Sequence, residues 1–307
     1  MTETGLAVEA PDGHRIPLYH WPAPTTPLAV VQICHGLAEH AARYAGLAAE
    51  LNAAGFSVVA HDHRGHGPAA DPLGTFAQAG GWEAVVDDVG HVERWARQRY
   101  GSVPFVLLGH SMGSYIAQAH VVQSAPELAA LVLSGSNFAG TGRVQLGRLV
   151  AWFERLRLGR TRPSALLDRM SFGEFNRAFE PARTAFDWLS RDPAEVDRYV
   201  ADPYCGFQAS AQLWLDLLRG LTRVWKVNTL RGIEPALPVC VIGGSADPVS
   251  AGNGLDRLAT SLKAAGVRSV DLKIYKDARH EVFNETNREA VIADLVGWLQ
   301  DHALGAG

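Results

Sequence analysis

The stretch from Phe105 to Ala117 constrains this chain more than any other: Phe105-Val106-Leu107-Leu108 followed at once by Gly109-His110-Ser111-Met112-Gly113 and then Ser114-Tyr115-Ile116-Ala117. The apolar run is short enough for a buried strand, and Tyr115 to Ala119 is helix-prone. A strand passing into a helix through Gly-x-Ser-x-Gly is the sequence form of a nucleophile elbow, a turn so sharp that its serine hydroxyl stands above the sheet. In such a turn a Cβ at Gly109 or Gly113 collides with the neighbouring strand or helix. The five letters alone arise by chance in roughly one chain in seven of this length and glycine content, so the flanking elements and the rest of the chain must carry the reading.

Around the elbow the chain alternates. Leu6 to Ala10 and His14 to Trp21 flank Pro11-Asp12-Gly13 as an opening hairpin. Leu28 to Cys34 and Phe56 to Ala60 read as buried strands, separated by a helix over Ala41 to Ala54. Trp82 to Arg99 is a second helix, and Leu128 to Ser134 a further strand. The alternation then stops until Pro238 to Ile242 (strand), Gly254 to Ala265 (helix), Val270 to Tyr275 (strand) and Arg288 to His302 (helix). Between them only amphipathic helical patterns stand out, Val144 to Leu158 and Gln208 to Trp225. Strands alternating with helices imply an α/β fold with a mostly parallel sheet covered on both faces. Residues 1–136 and 234–307 are therefore expected to form the core, with 137–233 as a helical cap over the C-terminal edge of the sheet.

A serine hydroxyl needs a base to take its proton and an acid to orient that base. Where an elbow carries the nucleophile, acid and histidine follow it in that order, each on a loop beyond a later strand. Asp247, in Gly243-Gly244-Ser245-Ala246-Asp247-Pro248, and His280, in Lys276-Asp277-Ala278-Arg279-His280, stand in those places. Asp247 alone reads as a turn residue before proline; three positions in the required order favour catalysis. Asp271 and Asp277 flank the same strand as His280, His302 lies in the last helix, and His110, beside the serine, is expected to point elsewhere and to pack beside the turn. Oxyanion donors are expected from the backbone N–H groups of Met112 and Leu37, with Gly36 leaving room for the substrate oxygen. A rival grouping, His61-Asp62-His63-Arg64-Gly65-His66 with His35 and His40, holds metal-ligand types, but its spacing matches no zinc motif and Arg64 sits among the ligands. A loop packed beneath the active site is the better account.

The formal net charge of -4 makes no case for nucleic acid. Met1 to Pro11 holds Glu3 and Glu9 and no long apolar run, against a signal peptide, and no segment has the eighteen or so apolar residues of a membrane span. Cys34 and Cys240 end strand-like runs as small buried thiols, and Cys205 lies in a polar loop without an evident partner. A reducing, cytoplasmic setting is expected.

His35-Gly36-Leu37-Ala38-Glu39-His40 with Arg43-Tyr44, then Asp62-His63-Arg64-Gly65-His66-Gly67, then Gly109-His110-Ser111-Met112-Gly113 resemble the monoacylglycerol lipase and bacterial lysophospholipase group of α/β-hydrolases, often placed with the serine aminopeptidase domain family. Thr184 to Asp192 and Asp202 to Phe207 are similar to stretches of its bacterial members. The resemblance implies an α/β-hydrolase fold, a Ser111–Asp247–His280 triad, Leu37 and Met112 as oxyanion donors, and no metal or organic cofactor. It also implies a carboxylic ester hydrolase acting on single-chain acyl glycerols. Two departures are Ser114, where many relatives have a second glycine, and Pro68-Ala69-Ala70 after the Asp62 loop.

The apolar residues of the expected cap, Val144, Leu146, Leu149, Val150, Trp152 and Phe153 with Leu213, Trp214, Leu217, Leu218 and Leu221, exceed what two helices need to dock. Those not used in packing would line an acyl pocket or meet a lipid surface. Other readings stay open: an aminopeptidase or amidase, for which Glu154, Glu174 or Glu180 would hold a free amine; a cofactor-free perhydrolase or lyase on the same triad; and a non-catalytic small-ligand receptor, against which His280 argues.

Overall fold

The computed structural model describes residues 3–250 and 252–304. Its strands are β1 (Glu3–Glu9), β2 (Arg15–Trp21), β3 (Val30–Cys34), β4 (Ser57–His61), β5 (Phe105–His110), β6 (Ala130–Ser134), β7 (Val239–Gly244) and β8 (Val270–Tyr275). They form one eight-stranded sheet in the order β1-β2-β4-β3-β5-β6-β7-β8. The β1–β2 and β2–β4 pairings are antiparallel and all the others parallel.

Because both faces are covered, the parallel strands read as continuous apolar runs, while their side chains alternate between two cores. Val106 and Leu108 of β5 enter one with Val132 and Ile242; Leu107 enters the other with Leu131 and Val241. The first core is closed by α1 (Ala45–Ala53) and α11 (Arg288–Ala303); the second by α2 (Gly81–Tyr100), α3 (Met112–Ser124) and α10 (Gly254–Ala265). Strand order turns back between β3 and β5, and the carboxyl ends of strands beside such a reversal open into the crevice where α/β sheets bind ligands.

The helix expected over 41–54 is broken. A 3₁₀ turn, Ala41–Tyr44, precedes α1. Asp62 Oδ1 accepts from the Ala41 amide at 2.8 Å, and the Arg43 guanidinium is drawn into two carboxylates, so this turn serves loops rather than the helix.

No residue between β6 and β7 joins the sheet. The segment holds α4 (Thr141–Leu158), the short α5 (Ala165–Asp168), a π turn (Arg169–Gly173), α6 (Glu174–Arg177), α7 (Pro193–Ala201), α8 (Ala211–Val224) and α9 (Val227–Leu230). The α8 helix joins it to the core. Ala211, Leu213, Leu217, Leu221 and Val224 are buried, and Gly220 rides so close on Trp82 that a Cβ would come within 2.3 Å of the indole. The apolar surplus divides three ways. Val144, Leu213, Trp214, Leu217 and Leu221 are buried, and Val150 and Leu218 pack against that core. Leu146, Leu149, Trp152 and Phe153, with Leu156, remain 43–61% exposed along α4. No helix of the described residues is long and apolar enough to cross a membrane.

Candidate active site

Ser111 sits between β5 and α3 at φ 51°, ψ -120°, a conformation that a side-chain-bearing residue adopts only under strain on the order of 1–3 kcal/mol. The elbow holds it there. The Ser111 amide donates to Ser134 O at 2.9 Å, and Ser114 Oγ donates to Ser111 O at 2.6 Å and lies 2.8 Å from Ser136 Oγ. Ser114, the departure from the related motif, thus braces the turn. A Cβ at Gly109 would lie 2.4 Å from Gly113 O, and one at Gly113 would lie 2.1 Å from Cys34 O, so only glycine lets β3, β5 and α3 close this tightly.

Asp247 and His280 arrive on the loops after β7 and β8. His280 Nδ1 is 3.0 Å from Asp247 Oδ2, and Asp247 Oδ1 accepts from the Val249 amide at 2.9 Å. With Nδ1–H spent on the carboxylate, Nε2 is the imidazole nitrogen left to take a proton. Both residues are almost wholly buried. Burial works against a charged imidazole, but the Asp247 charge and hydrogen bond outweigh it and hold the His280 pKa above the ordinary value. The ring lies over Gly135, the residue after Ser134: a Cβ there would be 3.0 Å from His280 Cε1. It is therefore set against the strand end that receives the Ser111 amide. Asp271 is engaged elsewhere, accepting from Trp298 Nε1 at 2.8 Å.

His110 packs beside the turn, as expected, but its ring faces His280 rather than pointing elsewhere. Its ring centroid lies 4.7 Å from that of His280, and Nδ1 is 3.3 Å from Ser134 Oγ. The reason is Gly135, whose missing side chain leaves both rings one shared space. Burial and the neighbouring His280 push the His110 pKa down to about 4, so it backs His280 as a neutral ring.

The loop after β3 completes the floor. A Cβ at Gly36 would stand 3.3 Å from Ser111 Cβ and 2.8 Å from Glu39 Oε1. Glu39 Oε1 accepts from the Gly36 amide at 2.5 Å and from Tyr44 Oη at 2.9 Å, and its other oxygen takes Arg43. Arg43 reaches on to Glu281 through two hydrogen bonds of 2.7 Å. This buried Glu39–Arg43–Glu281 chain ties the loop bearing Leu37 to the residue after His280. Sequence reading gave these residues no role; the one available signal was a Glu and an Arg four apart straight after a strand. The His61–His66 loop packs beneath, where the His35, His61, His63 and His66 rings contact one another at centroid distances of 4.3–6.4 Å and His63 N donates to His35 Nε2 at 3.0 Å.

Above Ser111 opens a cavity of ≈ 880 Å³, at the upper end of the ~300–1,000 Å³ usual for ligand sites. Leu37, Ser111 and Met112 line its floor; Val144, Phe172, Trp188, Trp214, Leu217 and Trp225 are among its walls. Tyr115, Asn137, Ser171 and Arg257 are among its other polar side chains, and no carboxylate lines it among the described residues. Glu154 is held by Arg157 and Ser164, and Glu174 pairs with Arg177 on the surface. The 184–191 stretch roofs the histidine loop: Trp188 O and Leu189 O accept from the His280 and Glu281 amides, and Arg279 donates to Asp187 O and Ser190 O. Trp188 packs 5.0 Å from the His280 ring.

Residues 25–287 match the family described as serine aminopeptidase, S33. The chain is 30% identical over 294 residues to the monoacylglycerol lipase of Mycolicibacterium smegmatis, covering 94% of both proteins. It is 28% identical over 307 residues to the monoglyceride lipase of Mus musculus, covering 96% of this chain and 90% of that one. Among solved structures, a lipase in its open form superposes with a TM-score of 0.86 at 26% identity over 99% of each chain. A thermostable carboxyl esterase from Bacillus coagulans superposes with a TM-score of 0.90 over 98% of this chain and 99% of that one, but at 23% identity it speaks to the fold alone. With the elbow, the later loops and the sheet order in agreement, the chain belongs to the serine aminopeptidase (S33) family of α/β-hydrolases.

Proposed function

We propose that this protein is a carboxylic ester hydrolase that cleaves single-chain acyl glycerols, as a monoacylglycerol lipase or lysophospholipase-like esterase. The observation that carries the reading is the His280–Asp247 pair set beside the strained Ser111 at the floor of a large, mainly apolar cavity. In this reading residues 137–233 form a cap over the core of 1–136 and 234–307. His280 Nε2 takes the Ser111 proton as Oγ attacks the ester carbonyl, and Asp247 holds the ring and stabilises its charged form. The amides of Leu37 and Met112 stabilise the oxyanion, a contribution of roughly 3 kcal/mol per donor. His280 then protonates the leaving alcohol. Water, deprotonated by the same nitrogen, attacks the acyl-enzyme and frees the acid. This sequence of steps draws on side chains and backbone amides alone.

Relatives named as monoacylglycerol and monoglyceride lipases, matched over nearly their whole length, support an acyl glycerol as substrate. The apolar walls suit one acyl chain. An aminopeptidase would need an anion for the free amine, and the carboxylates that would serve lie outside the cavity lining. The exposed apolar stripe of α4 adjoins the cavity, which Leu146 also lines, and supports transient docking on a lipid surface. Three free thiols support a reducing, cytoplasmic setting. The test is a panel of monoacylglycerols of increasing chain length, lysophospholipids, nitrophenyl esters and arylamides against the wild type and Ser111→Ala. Monoacylglycerol turnover that falls at least about 10⁴-fold in the variant supports the reading; turnover retained by the variant, or arylamide preferred over ester, overturns it.

A further inference from the structure

Behind the oxyanion loop lies a second cluster of chemically competent side chains that acyl transfer does not use. His40, in the loop after β3, places Nε2 2.8 Å from Oδ2 of Asp202, which follows α7 and lies 162 residues further along the chain. Cys205 completes the group: one ligand atom from each of the three falls within 4.8 Å of the others. His40 is only 7% exposed, so the fold holds its ring in place, with Nε2 the nitrogen turned towards Asp202.

Imidazole, carboxylate and thiolate are ligand types that zinc takes at about 2.0–2.3 Å, which sets tetrahedral ligand atoms about 3.5 Å apart. The His40–Asp202 pair, at 2.8 Å, would open slightly, and no pair would need to close by more than about 1.3 Å to reach that spacing. The charge around it suits a cation. Cys205 faces the carboxylates of Asp202, Glu39 and Glu281 against the single guanidinium of Arg43, and Asp62 faces His40. A divalent ion displaces the thiol proton to solvent as the metal–sulfur bond forms. One thiolate and one carboxylate then balance its charge.

We propose that His40, Asp202 and Cys205 form a binding site for a zinc-class divalent cation, with the fourth position left to water. The ion would clamp the loop after β3 to the turn after α7. These segments already meet through Ala38 O, which accepts from Tyr199 Oη at 2.7 Å and from the Gly206 amide at 2.9 Å. Ala38, held at φ 58°, directly follows Leu37, so the ion would stiffen the loop that carries the Leu37 amide.

The test titrates tag-free protein with zinc chloride by calorimetry, and with cobalt by absorption, beside Cys205→Ser and Asp202→Asn. Expected are one ion per chain, a thiolate-to-cobalt charge-transfer band, and a thermal midpoint raised by about 4 °C at a hundredfold excess over Kd. Cys205→Ser should keep the metal-free turnover, lose the cobalt band and bind zinc at least about a hundredfold more weakly. Because Cys34 and Cys240 are buried, zinc should also slow labelling of the reduced protein by a maleimide, which reports on Cys205. Absence of saturable binding, or affinity unchanged in Cys205→Ser because the ion sits elsewhere, overturns the proposal.

Discussion

His61 offers a measurable test of how burial is used beneath this site. It lies at the end of β4, fully buried, with neither ring nitrogen meeting a protein hydrogen-bond partner. Burial and the nearby His14 depress its pKa to about 3, against about 6.5 in an unfolded chain. The sign follows from linkage. Above pH 6.5 the ring is neutral in both states; below it, the unfolded chain takes a proton that the folded protein refuses. Stability is therefore lost at about 1.4 kcal/mol per pH unit as the pH falls from 6.5 towards 3. Between pH 7 and pH 5 the loss from this one ring is about 2 kcal/mol, a sizeable part of the 5–15 kcal/mol typical of a folded domain. Leucine has nearly the volume of histidine and does not titrate. His61→Leu should thus be at least as stable as the wild type at pH 7 and lose about 2 kcal/mol less on acidification to pH 5. Urea melts followed by tryptophan fluorescence at the two pH values give both differences. His35, His63 and His66 are depressed in the same direction and stay in both proteins, so their contribution cancels. An equal acid loss in wild type and His61→Leu would refute the reasoning, because it would mean that the buried ring accepts a proton in place.

Three further outcomes follow from the site. Asp247→Asn should lower kcat by about 10⁴-fold while leaving the fold intact; because Asp247 is what holds the His280 pKa up, the acid limb of the residual kcat/KM profile should also move to lower pH. Arg43→Met leaves Glu39 and Glu281 buried without their cation and should cost about 3–5 kcal/mol in urea melts. The Glu281 pKa, brought down to about 2 chiefly by Arg43 against the opposing effect of burial, should rise in that variant, so that part of the lost stability returns at acid pH. Replacing Leu149, Phe153 and Leu156 by serine should weaken turnover of monoacylglycerol presented in vesicles several-fold and leave a water-soluble nitrophenyl ester unaffected; equal effects on both substrates would count against surface docking.

Much of this protein is legible in its sequence because the relevant signals are local. A buried parallel strand is an unbroken apolar run, a surface helix repeats every three to four residues, and an elbow needs glycines at fixed offsets. On those grounds β8 and α10 were expected at their observed limits, and Asp247 and His280 were expected beyond strand ends, where the structure brings them together. The short helices and π turn between 165 and 177 left no such period, since their residues answer to the cavity and to the loops they cover. The direction of the His110 ring was not legible because it depends on the space left by Gly135, just past the end of a different strand. Which apolar residues of α4 and α8 would be buried, line the cavity or face outward depended on how those helices meet the core. The Glu39–Arg43–Glu281 chain and the His40–Asp202–Cys205 cluster join residues up to 242 positions apart in number, and no local pattern marks such pairs. The sequence by itself determined the order of elements and the reactive side chains offered at the strand ends; only the tertiary structure decided which charges share a buried space, because that is set by loops meeting across the sheet.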